Sequence, residues 1–397
     1  MPLEEIAGAK NDYNLNLPRY VDSSEPEDLQ DLHAHLHGGI PVRDVEALSG
    51  YWDAFPQLRS TLFEQGQEHG YCELRIEARD ARQAVFTSPD FETFGVRVEN
   101  LVKEWFATHR STLEVINADS VPNDLIVGVG EDLLARFKGL PLLDPYAVYE
   151  QLMTYWHSTM HDDIFLVMNE GWHAAAQPRP TIVEKDGKLS ETPDLVIGSG
   201  RSTTKYKTDL LPPSLIVNRY FAEQQTEVES LNAGADESSR LLEEYLEEHA
   251  IEEGLLAEAM EGDMVSKVLA QARLKEAKRE GNDPDEVAAL EQVVRLYNVE
   301  AAARRAVKEA QATLDLVTLN QYDALSDRDV RSLLLGDKWE ATVVSRIANE
   351  AVSLTRALGD RIEVLGERYG ETLAGLDGQL KEFDRRLALH LASMGVK

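Results

Sequence analysis

The closing stretch "LGDRIEVLGERYGETLAGLDGQLKEFDRRLALHLASMG", residues 358–395, decides how the fold is read. It continues an apolar series that starts upstream. Val344, Ile347, Ala351, Leu354, Leu358, Ile362, Leu365 and Tyr369 recur at separations of three and four with one extra four. Leu373, Leu376, Leu380, Phe383, Leu387, His390 and Met394 resume the series after a Gly-bearing break. Such a seam is what interlocking helices require, and the extra four is a stutter. Residues 336–397 are therefore expected to form coiled-coil helices that pair across a short turn. Two paired seams alone would leave apolar flanks open. Full burial of a large apolar side chain is worth about 1.5–3 kcal/mol, so a covering partner is expected on Leu373, Leu376, Leu380, Phe383, Leu387 and Met394. The competing reading packs these helices onto the rest of the chain.

Immediately upstream, residues 212–335 are rich in Ala, Leu, Glu, Lys and Arg, the composition of long helices. Pro212 and Pro213 suit a helix start, and "SLIVNRYFAEQQTEVESLNA" is read as one helix after them. Residues 236–263 hold Arg240 as the sole Lys or Arg among many carboxylates. "GNDPDE" at Gly281 is a breaker followed by a fresh helix start. An acidic antiparallel helical hairpin is expected, its charge run either a solvated face or a docking surface for a basic partner. Residues 177–211 read as an exposed connecting loop, with "EKDGK" a tight turn.

Residues 41–176 have a globular pattern, with Tyr51, Trp52, Phe55, Phe63, Phe91, Phe94, Trp105, Phe106, Tyr146, Tyr149, Tyr155 and Trp156 mostly at helical separations. "DPYAVYEQLMTYWHSTM" predicts a helix capped by Asp144 and opened by Pro145, with Val148, Leu152, Tyr155 and Thr159 on one face. "DDIFLVM" after it reads as a short buried strand. Residues 1–40 contain "NDYNLNLPRYVD", whose Pro disfavours helix before it; this is either a terminal tail or a strap lying on a surface. The fold class expected from these parts is mainly α. A small α/β region is followed by a long helical hairpin and the C-terminal coiled-coil helices.

Composition narrows the function. The 397 residues carry a net charge of −31, which argues against a chain that binds DNA electrostatically as a whole, since phosphate affinity rests on Lys and Arg. Any nucleic-acid contact must be local or delegated. Cys72 is the single cysteine, so neither an internal disulfide nor a Cys metal cluster can form. With no signal-like start and no apolar run of spanning length, the chain reads as cytoplasmic, without a membrane partner.

Few patterns carry chemistry. "HLHGG" offers His33, His35 and His37 on one face if extended, and reads as surface. "HSTMHDD" sets His157 and His161 four apart, followed by Asp162 and Asp163, a spacing that can hold a metal; a zincin would need Glu where Ser158 stands. "VGVGEDLL" and "VIGSGRST" lack the full phosphate-loop fingerprints.

Four blocks together, "LEEIAGAKNDYNLNLPRYVD", "DPYAVYEQLMTYWHSTMHDDIFLVMNEGW", "DLLPPSLIVNRYFAEQQTEVESL" and the closing stretch, resemble successive parts of the modification subunit of type I restriction-modification systems. The resemblance covers nearly the whole chain in order. It implies that the Asn-Tyr-Asn-Leu-Asn block is the exit strap of a methyltransferase domain that this chain lacks. The family transfers methyl from S-adenosylmethionine to adenine N6 and holds the flipped base with Asn-Pro-Pro-Tyr or Asn-Pro-Pro-Phe. No Asn here precedes Pro-Pro, and the one Pro-Pro pair follows Leu211. The resemblance therefore implies an assembly and DNA-clamp region that is not catalytic alone and binds no cofactor itself. Its implied partners are a specificity subunit, a restriction subunit, a second modification subunit, and DNA through the complex. The local DNA contacts expected are Arg19, Arg201, Lys205 and Lys207. Two other readings stand beside it: a metal-dependent hydrolase using His157, His161, Asp162 and Asp163, and an unrelated coiled-coil scaffold.

Overall fold

The computed structural model describes residues 30–66, 68–182, 191–198, 200–251, 254–262, 264–281 and 283–394, apart from the side chains of Arg201, Ala374 and Ala392. The Asn11 to Asp22 strap with Arg19, and the "EKDGK" turn, lie outside the described residues. The chain is mainly α, with two small antiparallel sheets among the described residues, the class expected from its periodicity. It divides into two compact units, one of residues up to 94 and from 352 onward, the other of residues 95–351. These divisions fall inside long helices and do not coincide with the compositional boundaries near 176, 211 and 335. Composition tracks helix length and charge, whereas compactness follows which apolar faces meet.

In the first unit, helix α1 (Leu32–His37) is capped by Asp31, whose Oδ1 accepts the Ala34 N–H at 3.1 Å. The three histidines are thus helical rather than extended, which separates His35 from His33 and His37. A three-stranded sheet follows, β1 (Ile40–Pro41), β2 (Phe63–Gln65) and β3 (Tyr71–Leu74), in the order β1-β3-β2. Gly39, at φ 87°, sits so close to β3 that an added Cβ would come 3.0 Å from Tyr71 Cβ, so only glycine fits. Phe55, Leu58, Leu62 and Phe94 build the core beside the sheet, with the Phe55 and Phe94 rings edge to face at 5.5 Å. Helix α2 (Pro89–Leu113) begins here, and its Asp90 accepts the N–H groups of Gln57 and Leu58.

The second unit packs α2 with α3 (Pro122–Phe137), α4 (Pro145–Tyr155) and α5 (His161–Glu170). Trp105 on α2 donates its indole N–H to Val129 O at 2.9 Å, so a large buried ring keeps its polar atom satisfied. Asp144 caps α4 and Pro145 opens it, as the sequence predicts. The expected strand "DDIFLVM" is instead the body of α5, joined to α4 by a π-helical turn, Trp156–Met160. A short apolar run fits either state, and here continuity with the preceding helix decides: Asp163, Ile164 and Val167 point inward at helical spacing.

The expected connecting loop forms a second sheet, β4 (Arg179–Pro180), β5 (Leu195–Ile197) and β6 (Thr204–Lys207), ordered β4-β6-β5. The helix predicted after Pro212 is broken at Phe221, whose φ −133° and ψ 28° are not helical, into α6 (Pro213–Tyr220) and α7 (Ala222–His249). Helices α8 (Lys267–Glu280) and α9 (Pro284–Ala324) follow. Gly281 ends α8 in the left-handed region at φ 69°, while Asp283 caps α9 and Pro284 opens it. Pairing of Val228 with Leu314, Ser239 with Glu300 and Tyr245 with Ala289 shows that α7 runs antiparallel along α9. The hairpin expected from the sequence is present, with α8 packed against α9 as a third helix at its end.

A capping box, Ser326 with Asp329, starts α10 (Asp327–Arg331), which leads into nine π-helical residues, Ser332–Glu340, and then α11 (Ala341–Gly370) and α12 (Leu373–Ser393). The two seams do not share a fate. On α11, Ile347, Ala351, Leu358, Ile362, Leu365 and Tyr369 are buried within their own chain. Glycines make the approach possible: a Cβ at Gly359 would lie 2.9 Å from Arg82 Cα, and one at Gly366 would lie 2.5 Å from Leu74 Cδ1. The expected pairing of α11 with α12 is not formed; α12 packs instead against α1 at its base.

Candidate docking surface

Helix α12 begins where Thr372 Oγ1 accepts the Gly375 N–H at 2.9 Å. Its base is seated by close approach, since a Cβ on Gly38 would come 3.2 Å from Thr372 Cγ2, and by the His35 ring, 5.1 Å from that of Tyr369. Beyond the base, Leu373, Leu376, Leu380, Phe383, Leu387 and Met394 are all exposed, Leu380 by 60% and Phe383 by 63%. Leu391 adds to this apolar face, whereas Leu389 is exposed on the opposite side of the helix. All six predicted docking residues therefore lie on one exposed stripe.

The charges of α12 are balanced inside the helix. Its acidic residues are Asp377, Glu382 and Asp384, and its basic residues Lys381, Arg385 and Arg386. Lys381 Nζ lies 2.6 Å from Asp377, and Arg385 and Arg386 reach Glu382 at 2.8 and 3.0 Å. These exposed pairs hold the Glu382 carboxyl below its ordinary range through hydrogen bonds from Arg385 and Arg386. In a chain of net charge −31, this helix is neutral in its Asp, Glu, Lys and Arg side chains.

The four hydrolase residues do not form one cluster, although His161 Nδ1 lies 3.4 Å from Asp162 Oδ1. His157 and Asp162 are exposed, and the His161 ring packs between Trp156 and Phe165, with centroids 6.0 and 4.7 Å away. Asp163 turns inward instead. It is 3% exposed, and its oxygens accept Lys338 Nζ and Trp339 Nε1, each at 2.8 Å. Lys338 also donates to Leu210 O at 2.6 Å, and Tyr155 Oη to Lys338 O at 3.3 Å. Burial pushes the Asp163 carboxyl above its ordinary range, against the pull of Lys338 and Trp339. Burial likewise raises the Tyr155 hydroxyl to about 12. Both π-helical turns meet at this network, the first ending just before Asp163 and the second supplying Lys338 and Trp339. Sequence reasoning missed it because its partners are 175 residues apart in the chain. Among the described residues, no group of three His, Cys, Asp or Glu side chains is arranged to hold a metal ion.

Of the expected DNA contacts, Lys207 is engaged within its own sheet. Lys207 on β6 donates to Asp194 Oδ1 at 2.8 Å and to Thr192 O at 3.3 Å, while Lys205 is exposed. Arg201 lies in the turn Gly200–Ser202. Nearby, Arg179 is clamped by Glu191 and Asp209 at 2.6 and 2.5 Å. The Arg179 hydrogen bonds, with the Ile182 N–H, hold the Glu191 carboxyl down to about 2. Free duplex DNA is accordingly expected to bind the isolated chain only weakly, with a dissociation constant of about 10⁻⁴ M or higher at physiological salt. A fluorescence-anisotropy titration checks this; micromolar binding that vanishes when Lys205 and Lys207 are neutralised would refute it.

Comparison with family models, with curated proteins and with solved structures found no match. Among the described residues, no helix is long and apolar enough to cross a membrane.

Proposed function

We propose that this chain is the assembly and DNA-clamp portion of a type I restriction-modification methyltransferase subunit, with α12 as the helix that docks onto the helical spacers of the specificity subunit. The observation that carries the reading is the contrast between two apolar seams: that of α11 is covered by its own chain, while the stripe from Leu373 to Met394 is open. Covering six or more large apolar side chains supplies ample driving force for association, even after the cost of immobilising a partner. The restriction subunit and a second modification subunit complete the proposed complex, in which DNA is held mainly by the other members. Co-purification with the specificity subunit tests the reading; a chain that fails to bind it under conditions where both are folded would overturn it.

The same reading carries a catalytic expectation. The chain contains no Asn-Pro-Pro-Tyr or Asn-Pro-Pro-Phe segment with which to hold a flipped adenine. The isolated chain is therefore expected to show no heat of S-adenosylmethionine binding in calorimetry and no methyl transfer to adenine. Stoichiometric cofactor binding would contradict it.

A further inference from the structure

The histidines of "HLHGG" take no part in the docking stripe, and α1 divides them unequally. His33 and His37 stand four apart and so share a face of the helix, while His35 is turned away from them. The ring contacts follow that division. The His33 and His37 rings lie 4.6 Å apart, centre to centre, and His33 also meets the Tyr71 ring at 5.2 Å. The His35 ring faces Tyr369 instead, and its Nε2 lies 2.8 Å from Gln30 Oε1. His157 and His161 have the same spacing in the sequence, but the His161 ring packs against Trp156 and Phe165. Among the described residues, no other two histidine rings are in contact.

The two paired imidazoles differ in how they are held. Glu68 Oε2 lies 2.5 Å from His33 Nε2. An ionised carboxylate only accepts, so the hydrogen stands on Nε2 and the lone pair is left on Nδ1. Pairing of one ring nitrogen with a carboxylate is the arrangement that orients histidines for a metal ion at the other. His37 is exposed and has no polar partner among the described residues. It lies beside Glu68 and Glu73 at a shallow pocket that Gly38, Gly39 and Gly66 help to form. One oriented and one free imidazole, four apart on a helix, make a chelating pair. Among the described residues no third His, Cys, Asp or Glu completes the shell, so water fills the remaining positions. Two imidazoles suit borderline ions such as zinc or nickel; calcium and magnesium require oxygen ligands.

We propose that His33 and His37 chelate one divalent ion of this borderline transition-metal class. The site stands on α1 alone and does not depend on the subunit reading. The test titrates the full chain with zinc chloride at neutral pH by calorimetry, with excess calcium present to occupy carboxylates. A saturable site of one zinc equivalent is expected. His33→Ala and His37→Ala should each weaken it about tenfold or more, because a single imidazole loses the chelate. His37→Ala leaves the Glu68 bond to His33 in place, so it probes the site even if His33→Ala loosens α1. His35→Ala, on the same helix, and His157→Ala, in the other pair spaced by four, should bind zinc as wild type does. Absence of a saturable zinc site, wild-type affinity in His33→Ala and His37→Ala, or an equal loss in His35→Ala overturns the proposal.

Discussion

Asp163→Ala is expected to lower the stability of the second unit by about 3–5 kcal/mol, because it strips the counter-charge from a buried cation. Lys338 is 12% exposed at its side chain and has Asp163 and the Leu210 carbonyl as its partners. Removing the carboxylate leaves the ammonium facing one neutral acceptor and leaves the Trp339 indole N–H unsatisfied. Asp163→Asn separates the contributions: it keeps the shape and an acceptor for Trp339 but not the charge, so its cost should fall between wild type and alanine. Replacing both partners by apolar residues, Asp163→Leu with Lys338→Met, should recover much of the loss, since neither charge is then stranded. Chemical denaturation reads all three, as a fall in midpoint without a change in slope. A stability for Asp163→Ala within about 0.5 kcal/mol of wild type would mean that the network at the two π-helical turns contributes nothing to the fold.

The network also marks where sequence reasoning ends. A cap such as Asp144 with Pro145, or the Gly281 break followed by Asp283 and Pro284, is written in local chemistry and was legible. A π-helical turn is not, because Trp156–Met160 and Ser332–Glu340 keep ordinary helix-forming residues and change only the hydrogen-bond partner of each N–H. "DDIFLVM" fits a strand as well as a helix until the helix preceding it is seen to continue. The candidate site was half legible. Periodicity put the apolar stripes on α11 and α12, yet could not tell which would be covered, since both repeat alike. One local signal was available: Gly359 and Gly366 stand seven apart on α11, where the chain approaches Arg82, Leu74 and Ala78 too closely for a side chain. On α12, by contrast, nothing lies within 4 Å of a Cβ added at Gly378. Gly359 and Gly366 mark the covered helix by what approaches them.

That distinction leads to the second large expected effect. Leu380→Glu combined with Leu387→Glu places two carboxylates in what would become a dry interface, where each unpaired charge costs several kcal/mol. Association through α12 should weaken at least about a hundredfold. The cost to the isolated chain should stay within about 0.5 kcal/mol, because both side chains are already exposed and lie outside the cores of the two units. The neutral helix also predicts that wild-type binding varies little with salt.

The direct measurement of the central claim is therefore co-purification of the specificity subunit with wild type and with this double variant, alongside thermal unfolding of each chain alone. The account predicts stoichiometric capture by wild type, loss of capture by the variant, and unchanged unfolding. Capture by the folded variant at wild-type stoichiometry would contradict it and remove α12 as the docking helix.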